Sequence, residues 1–188
     1  MLKKNLLVVF FILVNIAGNA QNEIPGKNWS FGGSYYSLNI TNPGIKLSVE
    51  HTLLIKERNA VKSLYLSGSL GNLYLPKISY NLFGDLGLGY RRCGRSHFIH
   101  GVETGLMYIR TYNYGITYTV SASDVVSEVP PGSTAGIALR LNYELGYMLS
   151  SPVCLSMKPG LALQTGHFGE AIPQLTYEIC LKYKLIPR

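Results

Sequence analysis

Across residues 134–149, TAGIALRLNYELGYML, apolar and polar side chains change places one by one. Ile137, Leu139, Leu141, Tyr143, Leu145 and Tyr147 share one phase; Ala138, Arg140, Asn142, Glu144 and Gly146 share the other. A period of two over that length predicts a β-strand with one apolar face. The same alternation recurs downstream. Val153, Leu155, Met157, Leu161 and Leu163 oppose Ser156, Lys158, Gly160, Ala162 and Gln164, and Leu175, Tyr177, Ile179, Leu181, Tyr183 and Leu185 oppose Gln174, Thr176, Glu178, Cys180, Lys182 and Lys184. Earlier segments follow more loosely: Ile45, Leu47 and Val49 oppose Lys46, Ser48 and Glu50, and the first strand has no clear phase. Read along the whole chain, the pattern predicts eight strands, over 28–38, 45–54, 63–74, 78–91, 97–110, 134–148, 153–165 and 172–185, with no helix of useful length after the N-terminal segment.

Most of these runs reach ten residues. Strands of soluble proteins usually have 5–6, whereas a tilted strand that crosses a bilayer needs roughly 9–11. An even number of long antiparallel strands suits closure, which removes unpaired edges. The expected fold class is therefore all-β: a closed up-and-down antiparallel transmembrane β-barrel of eight strands. In such a barrel the apolar phase meets lipid and the charged phase points into the lumen. The polar phase carries Glu50, Asp85, Glu103, Glu144 and Glu178 among acids, and Lys46, Arg91, Arg140, Lys158, Lys182 and Lys184 among bases. Nearly matched signs are what a narrow lumen demands, because buried charges must pair and eight strands leave room only for side chains. Lys46, Glu50, Asp85, Glu103, Arg140, Glu144, Lys158, Glu178 and Lys182 are expected to form an internal charge network that plugs the lumen and stabilises the barrel. A repeated acid-x-Gly theme (Asp85/Gly87, Glu103/Gly105, Glu144/Gly146) suggests glycines that clear space for a neighbour's long side chain.

The ends place the barrel in an exported protein. Lys3 and Lys4, an apolar run from Leu6 to Ile16, and the small residues Gly18 and Ala20 before Gln21 predict a cleaved secretory signal over 1–20, with the barrel domain over 21–188. The apolar run is too short for a spanning helix, which needs ~20 residues. Cleavage would remove two lysines and no acid from a chain of formal charge +7. The mild remaining excess, with no basic run, argues against a nucleic-acid partner and suits anionic lipid or lipopolysaccharide phosphate. Fourteen tyrosines and one tryptophan are present, many near strand ends: Trp29, Tyr35, Tyr36, Tyr74, Tyr80, Tyr90, Tyr108, Tyr112, Tyr147 and Tyr183. Amphipathic rings there fit the girdles at a lipid–water boundary. With eight strands both chain ends lie in the periplasm, and the longest connection, 111–133, faces outward. The connection at 55–62 is long for a periplasmic turn.

The Gln at the expected mature start, the repeated acid-x-Gly strands with nearby Tyr and the closing LTYEICLKYKL together resemble outer-membrane β-barrel proteins of the Bacteroidota, with the architecture of the small OmpA/OmpX-type barrels. The resemblance implies location and fold rather than an activity. It implies barrel-assembly machinery as a partner during insertion, outer-membrane lipid and lipopolysaccharide as surroundings, and a monomer. The closing strand resembles the C-terminal assembly signal of such barrels, departing from it by ending Ile186, Pro187, Arg188.

Candidate chemistry is sparse. Some small barrels modify lipid A with a His, a Ser and an acid, a set that deprotonates a hydroxyl nucleophile. Here His51, His97, His100 and His167 are scattered, and no catalytic residue is assigned. Cys93, Cys154 and Cys180 have no metal-ligand spacing; a contact between Cys154 and Cys180 on adjacent strands is open, with unpaired thiols the plainer expectation. No cofactor or metal is expected, and the glycine-rich GSLGN and GDLGLG stretches do not match a phosphate-binding loop. The expected role is structural, or a surface interaction through 111–133. The alternatives are a soluble periplasmic lipocalin-like barrel that binds a ligand among Leu139, Leu141 and Leu145, and a lipid-A-modifying enzyme.

Overall fold

The computed structural model describes residues 29–39, 42–57, 61–75, 78–114, 117–120, 126–129, 132–165 and 171–185. The expected signal segment, His167 and the last three residues lie outside these. The strands are β1 (Trp29–Leu38), β2 (Asn42–Glu57), β3 (Val61–Leu75), β4 (Ser79–Cys93), β5 (Phe98–Asn113), β6 (Thr117–Val120), β7 (Val126–Val129), β8 (Ser133–Met148), β9 (Val153–Thr165) and β10 (Ala171–Lys184). All but β6 and β7 close into one antiparallel up-and-down barrel, in which β1 pairs with both β2 and β10. Every long strand thus has two hydrogen-bonded neighbours, and no long edge is left unpaired.

Alternation sets the two faces. On β8, Arg140, Asn142 and Glu144 are buried inside, while Leu139, Leu141, Tyr143 and Leu145 are exposed outside. The outer face carries a belt of large apolar side chains, including Ile45, Leu47, Leu70, Leu86 and Leu106; Leu70 is the most exposed, at 72%. Aromatics bracket this belt. Tyr74, Tyr80 and Tyr112 stand in one cross-strand row at the loop end, and Phe98 packs edge-on against Tyr147 at the end where the chain termini lie. Tyr36 corrects the expected girdle: it is buried in the interior, tilted against Phe83 with ring centroids 4.8 Å apart. The reason is local. Tyr35 and Tyr36 are adjacent, so only one can face outward, and Tyr35 takes that side.

Two connections also differ from the sequence reading. The 55–62 stretch is mostly strand: Lys56 pairs with Lys62 and Glu57 with Val61. A register shift between Thr52 and Leu54 puts an extra residue into β2 and resets its phase, so simple alternation ends early there. In 111–133, β5 extends to Asn113, and β6 and β7 form a separate two-stranded hairpin.

Candidate functional site

The interior has three zones. Toward the loop end, Tyr36, Leu38, Leu73, Phe83, Met107 and Ile109 make an apolar cluster with Ala138 and Ala162. In the middle lie charges. At the chain-end rim is a cavity of about 130 Å³, lined by Arg91, Cys93, Met148, Cys154, Lys182 and others.

The structure brings all nine sequence-selected charges into the middle zone and adds Arg91. Glu178 Oε2 accepts from Lys46 Nζ at 2.6 Å, and Lys46 lies 3.7 Å from Asp85. Arg140 Nη2 donates to Asp85 at 3.0 Å and to Glu103 at 2.5 Å. Lys158 Nζ joins Glu103, at 2.5 Å, to Glu50, at 3.6 Å. Below this, Glu50, Lys182, Glu144 and Arg91 form a ring of alternating sign. Lys182 Nζ is 2.6 Å from Glu50 and 2.7 Å from Glu144, and Arg91 is 2.8 Å from each of the same two carboxylates. Five carboxylates and five cations thus make one connected, charge-neutral chain, with β2, β4, β5, β8, β9 and β10 each supplying at least one member.

β3 joins through neutral groups. Ser69 Oγ donates to Asp85 at 2.5 Å, Ser67 Oγ to Glu103 at 3.2 Å, and the Tyr65 hydroxyl to Glu103 at 3.1 Å. The Tyr65 ring also lies beneath the Arg91 guanidinium, 4.2 Å from centroid to Cζ. A buried charge is costly unless its partners compensate for lost water, and here each carboxylate has at least one cation within ion-pair distance. With its amide oxygen turned toward Arg140, Asn142 accepts from Nη1 at 2.7 Å.

Glycines shape this interior in two ways. Tyr65 pairs with Gly89, and a Cβ there would lie 2.2 Å from the Tyr65 ring carbon Cζ, so the ring reaches the lumen only over a glycine. Of the acid-x-Gly set, Gly87 clears space beside Glu103 Oε1. Gly105 and Gly146 instead face backbone: a Cβ at Gly105 would sit 2.3 Å from the Leu86 carbonyl oxygen. Those two permit close strand approach rather than room for a side chain.

Arg91 and Tyr65 are the members that sequence reasoning left out of the network. Arg91 is visible as a polar-phase base at the end of a strand. Tyr65 carries no signal of its own, since tyrosine serves equally on an outer girdle. The described histidines do not converge: His51 stacks on Trp29, His97 sits in the β4–β5 turn with φ of 65°, and His100 is exposed on the outer face. All three cysteines are free. In the β9–β10 register Cys154 faces Lys182 and Cys180 faces Ser156, so the two thiols are not opposite one another. Cys93 Sγ lies 3.5 Å from Met148 Sδ at the rim cavity.

Comparison of the coordinates with solved structures places this arrangement among known barrels. The N-terminal β-barrel domain of Pseudomonas aeruginosa OprF superposes with a TM-score of 0.55 at 10% identity, covering 85% of this chain and 98% of that one. Ail, the attachment invasion locus protein of Yersinia pestis, gives 0.53 at 8% identity over 85% and 97%. The outer membrane enzyme PagL gives 0.51 at 11% identity over 82% and 98%. The shared fold is that of small outer-membrane barrels. At these identities the likeness is one of fold alone. No family model and no curated protein matches the sequence.

Proposed function

We propose that this chain is a bacterial outer-membrane β-barrel, exported through a cleaved signal. Its chain ends would lie in the periplasm, its lumen would be closed by paired charges, and its working surface would be the outer end formed by residues 111–133. The observation that carries this reading is the inversion of the usual order of burial. Ten ionised side chains are packed inside, while leucines and isoleucines by the dozen cover the outside. A soluble barrel of lipocalin type needs the reverse, and Leu139, Leu141 and Leu145, which would line its pocket, face outward. Only a surrounding hydrocarbon phase makes that outer belt favourable, at ~25 cal/mol per Å² removed from water.

The role is structural or one of surface contact, not catalysis. The charge chain is internally neutralised by ion pairs and hydrogen bonds, and beyond it the Tyr36–Phe83–Met107 cluster closes the loop end. The barrel inserts with the help of assembly machinery, stands as a monomer among lipid and lipopolysaccharide, and holds the β6–β7 hairpin outside the cell. A protease site inserted after Pro131 is expected to be cut on intact cells, and the purified barrel to give no steady conductance in a planar bilayer. Cleavage only after the outer membrane is permeabilised would overturn the orientation; a stable open channel would overturn the closed lumen.

A further inference from the structure

The chain-end rim carries a feature that the lumen network does not use. On four consecutive strands, Lys56, Lys62, Arg92 and His100 are directly opposite one another: Lys56 pairs with Lys62, Lys62 with Arg92, and Arg92 with His100. All four are exposed on the outer face. With neighbouring strands ~4.8 Å apart, they form a lateral row of roughly 15 Å. Like charges directly opposite one another across a ladder destabilise it. Among the described side chains, no carboxylate offers relief. The carboxylates whose side chains are described are Glu50, Asp85, Glu103, Glu144 and Glu178, and all five are buried in the lumen. No carboxylate among the described side chains lies on the outer face beside the row.

The next outward row toward the middle of the barrel is Leu54, Leu64, Tyr90 and Val102, again in continuous register. A line of three cations, continued by His100 and bordered on one side by an aliphatic and aromatic line, is the surface of an amphiphile's partner: anionic head against the lysines and arginine, acyl chain along the leucines. On β8 the position opposite His100 is Leu145, so the row ends at β5, its lysines and arginine lie on β2, β3 and β4, and it covers one side of the rim only.

We infer that this row is a binding site for the phosphate of an anionic glycerophospholipid, of the phosphatidylglycerol class, in the periplasmic leaflet. The inference rests on the outer-membrane reading with chain ends on the periplasmic side. Lipid-A phosphates occupy the opposite leaflet and would meet the loop end instead.

The test uses the full-length mature barrel folded in detergent and offered equimolar phosphatidylglycerol and phosphatidylcholine of the same acyl chains, with retained lipid read by native mass spectrometry. Wild type is expected to retain phosphatidylglycerol in roughly fivefold or greater excess. K56Q/K62Q/R92Q should bring the ratio near one, and K56R/K62R/R92K should keep it. A wild-type ratio near one, or an excess that persists in the glutamine variant, overturns the site. In a parallel arm, bisphosphorylated lipid A retained in preference to phosphatidylglycerol, and lost in the glutamine variant, overturns the assignment to a glycerophospholipid. Boiled and unboiled electrophoresis accompanies each sample. A wild type that never folds in detergent brings down the outer-membrane reading and this inference together, whereas a folded wild type without preference removes the lipid site alone.

Discussion

Glu144→Ala is expected to destabilise the folded barrel by ~3–5 kcal/mol, the cost of breaking a buried ion pair from one side. Glu144 accepts from Arg91 Nε at 2.8 Å and from Lys182 Nζ at 2.7 Å, and it closes the ring that Glu50 opens. Removing it leaves Arg91 and Lys182, two cations in one enclosed space, with Glu50 as the remaining carboxylate of the ring. Lys182 is buried and borders only the small rim cavity, so water can replace the lost carboxylate only in part. Denaturant titration in micelles, followed by loss of the compact band, reads the change directly. A variant within ~0.5 kcal/mol of wild type would mean that these charges are hydrated and that the lumen is wet, against the packing described here.

The second large effect lies in a comparison. Among the described residues, Lys46 is the one cation within ion-pair distance of Glu178. Lys46→Met alone strands a buried carboxylate and should cost about 3 kcal/mol. Glu178→Leu alone should cost less, because Lys46 keeps Asp85 at 3.7 Å. The double variant should come back to within about 1 kcal/mol of wild type, since two apolar side chains then meet next to the Tyr36 cluster and Asp85 still has Arg140 and Ser69. The double variant is therefore expected to fall at least about 2 kcal/mol short of the sum of the single effects. Strict additivity would show that Lys46 and Glu178 do not act as a pair.

Much of this architecture was legible because a strand's period is two and the lumen is polar. Residues such as Arg140, Glu144, Lys158 and Glu178 announce their side by sitting between apolar or aromatic neighbours, and eight long runs imply closure. What alternation does not contain is height. Which inward charge meets which depends on the stagger between strands, so the phase of Arg91 was readable while its contacts with Glu50 and Glu144 were not. Adjacent aromatics defeat phase reading, as Tyr35 and Tyr36 show. A bulge defeats it as well: beyond Thr52 the pattern in β2 slips, so alternation alone ends the strand at 54, three residues short of Glu57. The β6–β7 hairpin was hidden for another reason, since four-residue strands are too short to display a period. The row of Lys56, Lys62, Arg92 and His100 shows the same limit. Each is an ordinary polar surface residue in the sequence, and only the pairing register aligns them.

The measurement that bears most directly on the whole account is fractionation of the native host, followed by electrophoresis of the membrane fraction with and without boiling. The account predicts an outer-membrane protein whose unboiled form migrates at a different position from the boiled one, because a closed barrel with its charges paired inside resists detergent until heated. A soluble periplasmic protein with no mobility shift would contradict it, and would require the leucine belt to be covered by something other than lipid.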